Sequence, residues 1–169
     1  MNAAQTFKLS GVALPKDAAR MLDDICEHFI EHGDVRRDGN LASMTSKAGT
    51  ANIRLQDGKL LIELASFSEA MLQMSRTSMA EHMFYFAGED PLELTWSQPA
   101  STQVLPNLHE ITVVSAEDVT PHMRRVKFTC ADVTPFIGGD MHVRLLVPPK
   151  GRTPVWPGLK DDGRVAWPE

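Results

Sequence analysis

The sequence predicts an α+β module, two helices on a mainly antiparallel sheet, followed by a shorter all-β segment. Three observations carry this. Apolar residues recur at three- and four-residue spacing in two stretches, 18–30 and 72–86, as amphipathic helices require. Short alternating runs lie around them and fill the last third of the chain. Between the two parts, Ser97-Gln-Pro-Ala-Ser-Thr-Gln-Val-Leu-Pro-Asn107 is polar, carries two prolines and shows no apolar period. It reads as a linker, so the chain divides into 1–97, a linker 98–108, and 109–169.

The elements follow in order. Pro15 suits a first helical turn, where its missing N–H would be unpaired anyway. Ala18, Met21, Leu22, Ile25, Cys26, Phe29 and Ile30 then make one buried face, and Gly33 stands in a C-cap position. Residues 41–45, 49–55 and 59–65 read as strands. Gln56-Asp57-Gly58 is a hairpin signal, because Asp-Gly supplies the positive φ such a turn needs. Leu60, Ile62 and Leu64 share one face of the third strand. Ser68 caps a second helix running to Phe86, with Leu72, Ser75, Met79, Met83 and Phe86 as its main stripe. Residues 92–96 alternate and close the sheet.

In the second part, 111–114 and 123–129 are strands, with a break at Thr120-Pro121-His122. Gly138-Gly139 is a turn. Residues 141–147 form the clearest strand: Met141, Val143, Leu145 and Val147 share one face, His142, Arg144 and Leu146 the other. The proline-rich tail from Pro148 is expected to be irregular, with a short strand at 164–167.

Composition excludes several classes. The net charge is −5, and the densest basic pairs are Arg36-Arg37 and Arg124-Arg125, too little for a nucleic-acid footprint. No apolar run approaches the ~20 residues that cross a bilayer, so membrane insertion is not expected. The N-terminus lacks the basic-then-apolar layout of a secretory signal, and the protein reads as cytoplasmic. Cys26 and Cys130 stand far apart and read as buried free thiols rather than a disulfide or zinc pair.

Motifs that carry chemistry are scarce. His28-Phe-Ile-Glu-His32 matches the H-x-x-E-H pattern of a zinc protease, with two histidines on one helix face. Glu27, His28, Glu31 and His32 together make an ordinary polar face, however, and no third ligand is evident. No metal site and no catalytic residue are assigned. There is no glycine-rich dinucleotide turn, P-loop or nucleophile elbow.

One resemblance is specific. The stretches Glu110-Ile-Thr-Val-Val-Ser-Ala-Glu-Asp-Val-Thr-Pro-His-Met-Arg-Arg-Val-Lys-Phe-Thr129, Gly138-Gly-Asp-Met-His-Val-Arg-Leu-Leu-Val-Pro-Pro149 and Pro154-Val-Trp-Pro-Gly158 onward resemble the opening strands of the flavin-binding barrel in siderophore-interacting proteins. Phe84-Tyr-Phe-Ala-Gly-Glu-Asp-Pro-Leu-Glu-Leu-Thr-Trp-Ser97 resembles the end of an uncharacterised module that some of them carry ahead of the barrel. The resemblance implies that 109–169 is an incomplete ferredoxin-reductase-like flavin barrel. It implies FAD as cofactor, NADH or NADPH as electron donor, and a ferric siderophore as substrate. Asp140-x-His142-Val-Arg144-Leu matches the family's Asp-x-His-x-Lys/Arg-Leu strand, so the resemblance places His142 and Arg144 near the flavin. A solvated polar strand face is the competing reading. Trp156 and Trp167 sit among prolines and read as an aromatic-proline plug that caps the barrel, with substrate stacking as the alternative.

The family's Arg-x-Tyr-Thr/Ser flavin signature and its nicotinamide domain do not occur in the sequence. The expectation is therefore a truncated N-terminal portion of a reductase, inactive alone and binding FAD weakly or not at all. The alternative is a non-catalytic binding or interaction protein that keeps the first module and a barrel remnant. Too few strands to close a barrel would leave an unpaired edge, a route to self-association.

Overall fold

The computed structural model describes residues 6–100, 104–137 and 143–168. The chain divides into two compact units, Met1–Pro106 with Trp156–Glu169, and Asn107–Val155.

The first unit is built on a six-stranded antiparallel sheet. Its strands are β1 (Phe7–Pro15), β2 (Asp34–Asp38), β3 (Leu41–Ser46), β4 (Gly49–Gln56), β5 (Lys59–Ser66) and β6 (Leu92–Trp96), in the order β2-β3-β4-β5-β1-β6. Register aligns the apolar side chains in rows across the strands. One row runs Ala42, Ile53, Ile62, Gly11, Trp96; the rows beside it run Met44, Ala51, Leu64, Leu9 and Leu55, Leu60, Ala13, Leu94. Helices α1 (Ala18–Phe29) and α2 (Glu69–Ala87) pack on these rows and on each other. The α+β expectation for this region therefore holds.

Local chemistry explains the boundaries. The Asp57-Gly58 turn takes φ values of 50° and 72°, the left-handed pair that its sequence supplies. Helix α1 starts at an Asp17 cap, whose carboxylate accepts from the Arg20 N–H at 3.0 Å. Pro15 is thus the last residue of β1 rather than part of a first helical turn. The helix ends at Phe29, not at Gly33. Gly33 serves a different need: a Cβ there would lie 2.6 Å from the Thr45 carbonyl oxygen, so glycine permits close approach to β3. Ser68 caps α2 as expected, its hydroxyl accepting from the Met71 N–H at 3.2 Å.

The buried side of α2 is Gln73, Arg76, Met79, Ala80 and Met83, so the expected stripe is only partly right. Strands β1 and β2 have no counterpart in the sequence reading. β1 is one continuous strand whose apolar pattern is interrupted by Ser10 and Gly11, and β2 is a charged edge strand, Asp-Val-Arg-Arg-Asp.

The tail also differs from expectation. Its hairpin, β9 (Gly158–Leu159) with β10 (Val165–Ala166), belongs to the first unit and does not plug a barrel. It docks there because polar groups of α2 and β6 find their partners on it.

The second unit contains one antiparallel ribbon, β7 (Ile111–Thr120) with β8 (Met123–Cys130), and a 3-10 turn at Thr134–Phe136. Val113, Val114, Val119, Met123, Val126 and Phe128 are all exposed on it. The strand expected at 141–147 is not formed over 143–147, which is irregular. Alternation alone does not make a strand; a neighbour must take up its ladder hydrogen bonds. The glycine turn at 138–139, Met141 and His142 lie outside the described residues. Both cysteines are free and half-buried rather than buried.

Ile53 is fully enclosed in the middle of its row, while Arg54 points to solvent. Ile53→Ala is expected to lower unfolding free energy by about 2–5 kcal/mol and Arg54→Ala by under about 0.5 kcal/mol. Urea unfolding followed by circular dichroism checks both.

Candidate functional site

Of the two residues that the resemblance placed near a flavin, Arg144 is exposed on irregular backbone and His142 lies outside the described residues. Arg124 and Arg125 are occupied across the ribbon: Arg124 Nε donates to Asp118 at 2.8 Å and Arg125 Nη1 to Glu117 at 3.2 Å. Both pairs are exposed and contribute little to stability.

The first unit holds more organised features. The ends of α1 and β2, one side of α2 and the β3–β4 hairpin enclose a cleft of about 300 Å³. Its walls are mainly apolar, with Phe29, Val35, Met44, Leu64, Met74 and Met79, while His32, Ser75 and Ser78 add polar atoms. That volume lies at the small end of ligand sites. It suits a compact apolar molecule rather than an extended dinucleotide.

Three histidines meet where α1 crosses α2. The His28 ring centroid lies 4.4 Å from His82 and 5.1 Å from His32, with Phe29 and Phe86 alongside. His82 Nδ1 sits 2.7 Å from the Ser78 carbonyl oxygen, while His28 Nε2 is buried with no hydrogen-bond partner. The H-x-x-E-H residues are thus joined by a third histidine, which sequence spacing could not show. The rings pack against one another at tilted angles of 40° and 57°. Among the described residues, no group of three or more His, Cys, Asp or Glu is arranged to hold a metal ion.

The most elaborate polar arrangement was missed by sequence reasoning altogether. Arg76 is 1% exposed, inside α2. Its guanidinium lies 5.6 Å from the Trp96 ring, and its Nη2 donates to the Asp161 carbonyl at 2.8 Å. Burial lowers its pKa, partly offset by the nearby Asp161 and Asp162 charges. It remains cationic at neutral pH. Trp96 Nε1 donates to the Asp162 carbonyl at 2.8 Å, and the Val165 N–H donates to Glu81 Oε1 at 2.7 Å. Arg164 stacks 3.5 Å above Phe84 and donates to Asp162 at 2.8 Å. Burial raises the Asp162 pKa, but the Arg164 hydrogen bonds outweigh it and leave a net lowering. The only sequence sign was Arg76 falling between apolar positions of α2.

Comparison with known proteins gives two family matches. Residues 11–97 match the family described as “Uncharacterized protein conserved in bacteria (DUF2218)”. Residues 112–169 match the “Siderophore-interacting FAD-binding domain”. No curated protein matches the chain. Among solved structures, an NMR structure of PA4090 from Pseudomonas aeruginosa is similar at 21% identity and a TM-score of 0.46, covering 56% of this chain and 98% of that one. No helix among the described residues is long and apolar enough to cross a membrane.

The histidine cluster makes stability depend on pH. Burial, then the positive charge of His82 and of His32, lowers the His28 pKa below 6.5, with Glu31 opposing. The unfolded chain therefore binds a proton before the native state does. Stability is expected to be level above pH 6.5 and to fall as pH drops from 6.5 toward the lowered value. Urea midpoints at about pH 7.5 and 5.5 should differ in the wild type and differ less in His28→Leu.

Proposed function

The chain belongs to the bacterial DUF2218 family, and from that premise we propose that it forms the N-terminal portion of a cytoplasmic, flavin-dependent ferric-siderophore reductase. The observation that carries this is the match of 112–169 to the siderophore-interacting FAD-binding domain. The β7–β8 ribbon supports it. A lone two-stranded ribbon is marginal in water, and this one exposes valines, Met123 and Phe128, as strands of a larger barrel would before their neighbours are in place. In that complete barrel His142 and Arg144 would lie near the cofactor.

When bound, FAD would supply the transfer of electrons from NADH or NADPH to Fe(III), one electron per iron. Ferrous iron holds hard oxygen donors less tightly, so reduction loosens the siderophore's grip. This chain's contribution would be positioning, and it is not expected to act alone. The unpaired ribbon edge would also favour self-association of the isolated chain.

The reading has a two-sided test. Residues 1–169 alone should bind FAD more weakly than about micromolar by fluorescence titration, because the Arg-x-Tyr-Thr/Ser flavin signature does not occur among them. With FAD, NADPH and a ferric siderophore under anaerobic conditions, they should release no ferrous iron above the protein-free blank. Fused ahead of the flavin-signature strand and nicotinamide domain of a siderophore-interacting protein, they should take part in both. A fused protein that neither binds FAD nor reduces the chelate refutes the reading.

A second reading, a non-catalytic binding protein, is favoured by the apolar cleft beside His32. Uptake of a neutral fluorescent dye by the wild type, lost in a cleft-filling Ser75→Trp variant, would support it.

A further inference from the structure

Arg76 poses a problem that its own module does not solve. A guanidinium taken out of water needs partners, or its burial is strongly unfavourable. Within 11–97 the structure gives it the face of Trp96, which satisfies none of its N–H groups. Its hydrogen-bond partner is the Asp161 carbonyl, 85 residues away in sequence. Trp96 Nε1 is in the same position and is satisfied by the Asp162 carbonyl. Glu81 accepts from the Val165 N–H, and Phe84 is covered by Arg164. Four side chains of the first module thus present hydrogen-bonding and stacking groups that one short turn meets, although Arg76 Nε stays without a partner.

The turn is shaped for the site. Lys160 N–H donates to the Arg164 carbonyl at 2.8 Å, and Gly163 N–H to the Lys160 carbonyl at 2.9 Å. Gly163 has φ +95°, and a Cβ there would lie 3.1 Å from Trp96 Nε1 and 3.2 Å from Arg76 Cγ and Nε. Only glycine satisfies both the backbone and the space. Asp162 and Arg164 bind each other within the turn. The site itself rests on Gly11, opposite Trp96 in the register, where a side chain would collide with the indole ring.

We propose that the α2–β6 face of the first module is a recognition site for an Asp-Asp-Gly-Arg turn, and that its occupant is residues 156–168 of the FAD-binding segment, recognised whether carried in cis or offered as a separate peptide. The module matching 11–97 thereby acts as a dock that holds part of the segment matching 112–169. This does not depend on the reductase reading, since it uses only contacts within one compact unit.

The test uses the full chain. Trypsin cleavage after Arg164 reports whether the turn is seated, with cleavage after Arg144, exposed on irregular backbone, as the internal reference. Gly163→Ala is expected to speed cleavage after Arg164 at least about tenfold relative to Arg144, with unchanged helix content, since opening the turn exposes the bond. A labelled synthetic peptide of residues 154–168 should then bind Gly163→Ala at least about tenfold more tightly than the wild type, whose dock is occupied in cis. Arg76→Met added to Gly163→Ala should abolish that binding while preserving the apolar stem. Unchanged cleavage in Gly163→Ala, failure of the peptide to bind it, or equal binding with and without Arg76 would each overturn the proposal.

Discussion

A buried cation without a carboxylate in its own module organises the first unit. Arg76 sits in α2 at a position that periodicity would give to an apolar residue, and it is almost completely enclosed. Replacing such a group with a hydrocarbon is often harmless, while leaving it half-satisfied is not. Its neighbours are arranged accordingly. Gly11 clears space for Trp96, Trp96 offers its ring to the guanidinium, and the tail carbonyls close the remaining side. The satisfaction is incomplete: Arg76 Nε, Gln73 Nε2 and Thr77 Oγ1 are buried without partners. α2 thus carries a polar seam where a helix of its length would normally pack hydrocarbon.

The same helix supports two unlike surfaces. Met74, Ser75, Ser78 and Met79 help wall the apolar cleft, with His82 a turn further along among the clustered histidines. Arg76, Glu81 and Phe84 meet the tail. A ligand in the cleft and the turn on the dock would therefore press on one rigid element through different side chains.

Much of this architecture was legible in the sequence, and the failures have physical causes. Asp57-Gly58, the Ser68 cap and the alternation of Leu60, Ile62 and Leu64 each state a local requirement, and each was met. β1 escaped notice because Gly11 and Ser10 interrupt its pattern, although Gly11 is there for Trp96. β2 escaped because an exposed edge strand has no need of apolar residues. The error at 143–147 ran the other way: good alternation with no neighbour to pair with. The dock and the three-histidine cluster were invisible because they join residues far apart in the chain. Spacing reports on neighbours along an element, not on what tertiary packing brings to it. Arg144 sits on irregular backbone and His142 falls outside the described residues, so the resemblance remains the support for their role.

The first unit is discontinuous in sequence: 107–155 intervene between Pro106 and Trp156. Closing a loop of that size carries an entropic cost of about 3 kcal/mol beyond a constant, from its logarithmic dependence on length. The contacts that offset it come from residues synthesised only after 107–155. During synthesis, α2 and β6 would emerge and pack while Arg76 still lacks its carbonyl partner, leaving a hydrated notch beside Trp96. The nascent chain would thus hold an almost finished sheet with one open seat, filled only when the Asp161–Gly163 turn arrives. Maturation of this unit would be timed by its far end, a late step set by translation rather than by the intrinsic folding speed of the sheet.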